Sequence, residues 1–228
     1  MTNLEDAQVA VDAGADAVGF VFYERSPRCV GVEKGREMVE RLPESVEKVG
    51  VFAGESLLTA AEVGASVGLD SLQIYPLAHP KGLEILSNVK AWPPAERRLG
   101  QRKIYLALPM STLVAQRAQQ EGLTIEMQDP DGKFVALVLD SGSGQRPGGT
   151  GVTFDWDQAA ATVAGLSLRH KVAIAGGLTP ENVAQAIGIL RPWGVDVASG
   201  VEASPGKKDP QKVRAFVRAV REIDGKAG

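Results

Sequence analysis

The sequence predicts an α/β protein of the (βα)8 class, a TIM barrel read one strand late, and three observations carry that prediction. Apolar runs of strand length alternate with helix-forming stretches at spacings of roughly 25 to 30 residues, the mark of repeated strand–helix–strand units around a parallel sheet. Seven strands and eight helical segments can be traced, and a helix comes first. The glycines gather after the last three strands, whereas nothing like Gly-x-Gly-x-x-Gly follows Phe22, where a doubly wound sheet would carry its fingerprint. Barrels keep phosphate sites in the loops after their seventh and eighth strands, so the distribution favours a barrel. All 228 residues read as one domain.

Each element has a local reason. Thr2 or Asn3 can cap a first helix, Glu5 and Asp6 suit its positive amino-terminal end, and Gly14 stops it after Ala13. Asp16 to Phe22 is a buried strand with a loop, Tyr23 to Val30, behind it. The unit then repeats: helix Val32–Arg41, strand Val46–Phe52, helix Ser56–Val67, strand Ser71–Tyr75. A looser helical stretch, Pro80–Val89, runs into a Pro-, Arg- and Gly-rich connector from Trp92 to Arg102. Strand Ile104–Leu108 and helix Ser111–Glu121 come next, then strand Phe134–Leu139 and helix Asp155–Val163. Strand Val172–Ala175 precedes helix Pro180–Ile189, for which Thr179 is the expected cap and Pro180 the first residue. Val195–Ala198 is the last strand and Pro210–Ile223 the last helix.

Composition sets the outer bounds. Hydrophobic residues make up 44% and charged residues 23%, ordinary for a soluble globular chain. A net charge of −3 gives no reason to expect nucleic acid or an anionic membrane as partner, so an anionic ligand needs a local site. One cysteine, Cys29, and two histidines, His79 and His170, argue against a disulfide framework and a metal site, and fit a cytoplasmic protein. No apolar run approaches transmembrane length.

The chemistry concentrates at the carboxyl ends of the late strands. Phe134–Leu139 ends in a carboxylate, Asp140, followed by a loop with glycines at 142, 144, 148, 149 and 151. A carboxylate there is where barrel enzymes keep a catalytic acid or base, although an Asp can also merely cap the loop through backbone amides. Gly176-Gly177 follows one strand and Ser199-Gly200-Val201-Glu202 the next. Bare amides in such turns can approach an anion, and a short helical turn from Gly200 would aim its amino end at it. A tight turn alone would also use glycine. Two such turns on consecutive strands make a phosphate grip the favoured reading.

Taken together, Gly14–Phe22 (Gly-Ala-Asp-Ala-Val-Gly-Phe-Val-Phe), Ser26-Pro-Arg28, Val49-Gly-Val-Phe52 and Gly68-Leu-Asp-Ser-Leu-Gln73 resemble phosphoribosylanthranilate isomerase. So do Asp140, Gly148-Gly-Thr-Gly151, Phe154-Asp-Trp156, Ala175–Asn182, Ser199–Glu202 and Pro205–Asp209, in order along nearly the whole chain. The resemblance implies a ribulose-phosphate-binding (βα)8 barrel of tryptophan biosynthesis that acts without a cofactor or metal on a small phosphorylated substrate. It would be a monomer or homodimer. The reaction implied is an Amadori rearrangement of N-(5-phosphoribosyl)anthranilate to 1-(2-carboxyphenylamino)-1-deoxyribulose 5-phosphate. Asp140 is then the general acid at the ribose ring oxygen, and a cysteine base takes the proton from C2. Arg28 holds the anthranilate carboxylate, and Gly149, Gly176, Gly177, Ser199 and Gly200 surround the phosphate.

The match has departures. Met1-Thr2-Asn3 aligns with the interior of the family's Lys-Ile-Cys-Gly-Met-Thr-Asn pattern. The expectation is that the first strand and its cysteine lie upstream and that the natural protein is longer by about one strand of 5–6 residues. Cys29 follows the Ser-Pro-Arg loop and is read as a small packed side chain. Tyr75-Pro76 replaces the usual His-Gly, Val152 a common lysine and Ala198 a common serine. An indole-glycerol-phosphate synthase would need a lysine acid at a strand end, and Lys48 and Lys103 are expected before their strands. The reading from a different class is a non-catalytic phosphate-ligand-binding barrel without its base.

Overall fold

The computed structural model describes residues 1–75, 100, 102–111, 113, 134–142 and 153–225. Its strands are β1 (Ala17–Val21), β2 (Glu47–Ala53), β3 (Ser71–Tyr75), β4 (Lys103–Pro109), β5 (Phe134–Asp140), β6 (Val172–Ile174) and β7 (Gly194–Val195). They form one seven-stranded sheet in sequence order, every neighbouring pair parallel. Around it lie α1 (Leu4–Asp12), α2 (Val32–Val39), α3 (Leu57–Val67), α4 (Trp156–Ser167), α5 (Val183–Leu190) and α6 (Pro210–Asp224). No helix among the described residues is long and apolar enough to cross a membrane.

Capping explains the helix boundaries. The Asn3 side chain accepts from the Asp6 amide at 2.8 Å, Ser56 from Thr59 at 3.1 Å and Asp155 from Gln158 at 3.0 Å. Asp209 takes the amides of Gln211 and Lys212, with Pro210 in the first turn where its missing N–H costs nothing. Helix α3 stops at Gly68, whose φ of +84° is open to glycine and strained for other residues.

The strands sort their side chains by the two-residue pleat. Leu137 and Leu139 on β5 join the large outer core with Phe20, Phe52, Leu72, Leu106 and Ile174, against the helices. The alternate residues form a separate inner cluster: Ala53, Tyr75, Ala107, Val138, Ala173 and Ala175. At the amino-terminal end of that interior, Glu47 accepts from the Tyr105 hydroxyl at 2.8 Å and from the Ser71 hydroxyl. Small alanines near the carboxyl ends leave an open space there.

Several expected boundaries shift. Helix α5 begins at Val183, because the Asn182 side chain accepts from the Thr179 amide and Thr179 Oγ1 accepts from Glu181, which folds Pro180 into a separate turn. The last sheet strand is Gly194–Val195, shorter than expected and ahead of Ala198. Lys48 and Lys103 lie inside their strands, at the amino ends. A short 3-10 turn at Ser199–Val201 matches the expected helical turn, and the antiparallel hairpin behind it, β8 (Glu202–Ser204) with β9 (Lys207–Lys208), was not foreseen. The expected Pro80–Val89 helix and Gly148–Gly151 loop, and most of the Trp92–Arg102 connector and the Ser111–Glu121 helix, lie outside the described residues.

Two glycines give a direct check on packing. A Cβ on Gly200 would collide with the Leu178 carbonyl oxygen, whereas one on Gly188, an exposed position of helix α5, meets nothing within 4 Å. Gly200→Ala is expected to lose about 1–3 kcal/mol, or several degrees of Tm, and Gly188→Ala to gain roughly 0.5–1 kcal/mol. Thermal unfolding of the two variants checks the pair, and equal melting points would contradict the packing at Gly200.

Candidate active site

The inner-face rule decides which strand-end side chains can meet. On β5, Asp140 follows Val138 by two residues and so points into the barrel interior; on β3, Gln73 and Tyr75 do the same. On β7 the outer residue is Val195, which leaves the next residue, Asp196, facing inward. These side chains, with Arg28, Gly176, Gly177, Ser199, Glu202 and Lys208, line one cavity at the carboxyl ends of the strands.

Asp140 is 3% exposed and held at both oxygens. The Gly142 amide donates to Oδ1 at 2.7 Å and the Tyr75 hydroxyl to Oδ2 at 2.8 Å. Gln73 Nε2 donates in turn to the Tyr75 oxygen at 3.3 Å. Burial, and then the negative charge of Asp140, push the Tyr75 hydroxyl well above the usual tyrosine range. Asp196 is exposed to the cavity, yet desolvation by the atoms crowded around it, followed by the charge of Asp140, raises its carboxyl above the ordinary range. Two carboxylates thus face one space in unlike environments, which tends to concentrate proton chemistry in one place.

Arg28 comes from the loop after β1 and reaches across to the hairpin. Its Nε and Nη2 donate to the two carboxylate oxygens of Glu202 at 2.8 and 2.7 Å, and Lys208 Nζ lies 3.4 Å from Glu202 Oε1 while donating to the Ala198 carbonyl at 2.7 Å. The side chains of Glu202 and Lys208 are 5% and 8% exposed. Burial pushes Glu202 up, but the Arg28 hydrogen bond and the charges of Lys208 and Arg28 outweigh it, and the net direction is down. Burial lowers Lys208, against the pull of Glu202. The hairpin also pins the amino terminus: the Lys208 amide donates to Asp6 Oδ2 at 2.7 Å and the Thr2 hydroxyl to the Gly206 carbonyl.

The phosphate end is built from backbone. Gly176 and Gly177 have φ of +87° and +66°, and a Cβ on Gly176 would strike Ser141, so both positions call for glycine. The structure therefore brings Arg28, Asp140, Gly176, Gly177 and Ser199 to the lining of one cavity. Gly200 is not among the lining residues; its lack of a side chain answers to the Leu178 carbonyl behind it. Gly149 lies outside the described residues. Cys29 is half-buried and absent from the cavity lining, with its thiol pushed up by burial. Among the described residues no cluster of three or more His, Cys, Asp or Glu could hold a metal ion. Asp196, Glu202 and Lys208 were missed as site residues. Asp196 had no strand-end signal, because it lies inside the expected strand Val195–Ala198; only the shorter observed strand, Gly194–Val195, places it just past an end. Glu202 and Lys208 had only their place in matching segments, because the hairpin that aims them was not foreseen.

Glu202 gives a pH prediction. Its folded pKa lies below its unfolded one, so the unfolded chain binds more protons between the two values, and stability falls as pH drops through that window. Glu202→Gln is expected to lose roughly 1.5–3 kcal/mol at neutral pH and to flatten the acid-side fall in Tm. Melting curves from pH 7 down to 3 check this, and an unaltered acid limb would contradict the assigned role of the Arg28–Glu202–Lys208 cluster.

Known proteins share both sequence and fold. Residues 99–219 match the family model for N-(5'-phosphoribosyl)anthranilate (PRA) isomerase. An N-(5'-phosphoribosyl)anthranilate isomerase of Pelobacter propionicus is 39% identical over 222 residues, 97% of this chain and 93% of that protein. The crystal structure of phosphoribosyl anthranilate isomerase from Thermotoga maritima superposes with a TM-score of 0.74 at 32% identity, covering 97% of this chain and 96% of that one. A phosphoribosyl anthranilate isomerase in complex with reduced 1-(o-carboxyphenylamino)-1-deoxyribulose 5-phosphate gives 0.70 at 30% identity, with 97% and 95% covered. A structure of monomers generated from the dimeric Thermotoga maritima enzyme gives 0.70 at 30% identity, again with 97% and 95% covered.

Proposed function

The chain belongs to the N-(5'-phosphoribosyl)anthranilate isomerase family, and from that premise we propose how its cavity carries out the reaction. The protein is an isomerase of tryptophan biosynthesis, turning N-(5-phosphoribosyl)anthranilate into 1-(2-carboxyphenylamino)-1-deoxyribulose 5-phosphate. The observation that carries the assignment to this cavity is that Arg28, Asp140 and the Gly176-Gly177 turn all line it. Asp140 is the general acid. As the ribose C–O bond breaks, it gives its proton to the ring oxygen, a poor leaving group, and a Schiff base forms. Loss of the C2 proton from the protonated Schiff base then yields a neutral enolamine, which takes a proton at C1 and releases its enol hydroxyl proton to become the ketone. Carbon 2 is oxidised as carbon 1 is reduced, so the rearrangement balances without a cofactor. The base for C2 is not assigned to a residue of the cavity; the single cysteine, Cys29, does not line it.

Binding follows the charges. The phosphate sits against the amides of Gly176, Gly177 and Ser199, where glycine lets backbone approach the anion. Arg28 receives the anthranilate carboxylate. Two of its nitrogens are already spent on Glu202, which fixes the guanidinium plane and leaves Nη1 for the ligand. We take the chain as one barrel domain working in the cytoplasm, as a monomer or homodimer. One structural relative is named as dimeric, and another holds a phosphorylated product analogue.

Asp140→Asn keeps the shape and removes the transferable proton, so turnover is expected to fall at least about 10²-fold. Near-normal turnover would sink the acid assignment. Arg28→Ala is expected to lower kcat/KM by about one to two decades through loss of a charge-assisted contact. Steady-state kinetics measures this, and an unchanged kcat/KM would remove Arg28 from the binding site.

A further inference from the structure

We propose that Tyr75 is the positioning residue of the proposed acid: its hydroxyl holds Asp140 Oδ2 in the orientation that proton delivery to the ring oxygen requires. This rests on the reading of Asp140 as general acid. Tyr75 stands where the family pattern places histidine, so the role belongs to this sequence's own departure from that pattern.

The polarity of the contact is settled by chemistry. An amide nitrogen only donates, so Gln73 Nε2, at 3.3 Å, makes the Tyr75 oxygen an acceptor on that side. The one hydroxyl proton is then left for Asp140 Oδ2 at 2.8 Å. The Gly142 amide takes Oδ1 at 2.7 Å. Donors at both oxygens stop the carboxyl group from turning about its last bond, and an acid must be held to about 0.5 Å and 10–20° to be productive. Tyr75 is itself 6% exposed, anchored on β3 rather than on a loop, and packed among Ala53, Ala107 and Val138. A hydroxyl both donates and accepts, so it can keep contact with Asp140 whether that group is ionised or protonated. The high pKa of the Tyr75 hydroxyl, set by burial and then by the Asp140 charge, keeps the proton on the tyrosine while Asp140 exchanges its own.

The test combines a spectroscopic arm and a kinetic arm. The chain has three tyrosines, so tyrosine labelled with carbon-13 at the phenol carbon gives few resonances, and the one lost in Tyr75→Phe is Tyr75. That resonance is expected to move in Asp140→Asn. In turnover, Tyr75→Phe is expected to lower kcat roughly ten- to fifty-fold with KM changed less than about threefold, and to add nothing in the Asp140→Asn background. A purely structural tyrosine would instead lower Tm and disturb KM. If Asp140→Asn retains its turnover, the acid assignment fails whatever Tyr75 does. If Asp140→Asn is inactive while Tyr75→Phe turns over normally, or if the Tyr75 resonance ignores Asp140→Asn, the positioning role alone is overturned.

Discussion

The two-residue pleat of parallel strands is the constraint from which the site follows. Each strand of the seven-stranded sheet must give one face to the helices and the other to the interior. Large side chains such as Phe20, Leu72, Leu106, Leu137 and Ile174 take the outer face, where burial against helices stabilises the sheet. The inner face is thereby free to carry small residues, and Ala53, Ala107, Ala173 and Ala175 do so near the carboxyl ends. The room they leave is the cavity. Asp140, Gln73 and Tyr75 enter it because they keep the inner register of their strands. A shift of one residue in β5 would send Asp140 into the apolar shell and Leu139 into the site.

The charged frame is a second layer laid on that scaffold. The hairpin Glu202–Lys208 carries the carboxylate that orients Arg28 and the ammonium that offsets it, and its backbone ties to Asp6 at the start of α1. A guanidinium held along one edge by a carboxylate loses little further freedom when a ligand arrives at the other, which favours capture. The desolvated Glu202 would be costly alone; with Arg28 and Lys208 around it, the cluster is compensated. The cavity lining therefore carries both signs of charge, with the Arg28 and Lys208 cations around Glu202 and the carboxyl groups of Asp140 and Asp196 opening onto the same space.

Much of this could be read from residues alone. The alternation of apolar runs and caps located the seven strands, and Asn3, Ser56, Asp155 and Asp209 are cap residues that do in the structure what their chemistry promises. Asp140 and the Gly176-Gly177 turn stood out because a buried strand ended there. The errors came from competing local bonds. Thr179-Pro180 reads as a cap and first residue, yet Asn182 claims the Thr179 amide and delays helix α5. Gly200 reads as an anion turn, and the structure adds a packing reason for glycine there, the close Leu178 carbonyl. Tyr75 reads only as a departure from the usual His-Gly; its hydrogen bond to Asp140, 65 residues away in sequence, depends on two strands sharing an inner face and cannot be seen along one of them.

The central claim is that the carboxylate, proton and phosphate ends of one substrate meet in this single cavity. Titration with reduced 1-(o-carboxyphenylamino)-1-deoxyribulose 5-phosphate, followed by nuclear magnetic resonance of backbone amides and arginine side chains, tests it most directly. The Gly176, Gly177 and Ser199 amides, the Arg28 guanidinium and the Gly142 amide beside Asp140 are expected to shift along one common isotherm. Shifts centred on the Glu47–Tyr105 end of the barrel, or a response at the glycine turns without one at Arg28, would contradict it.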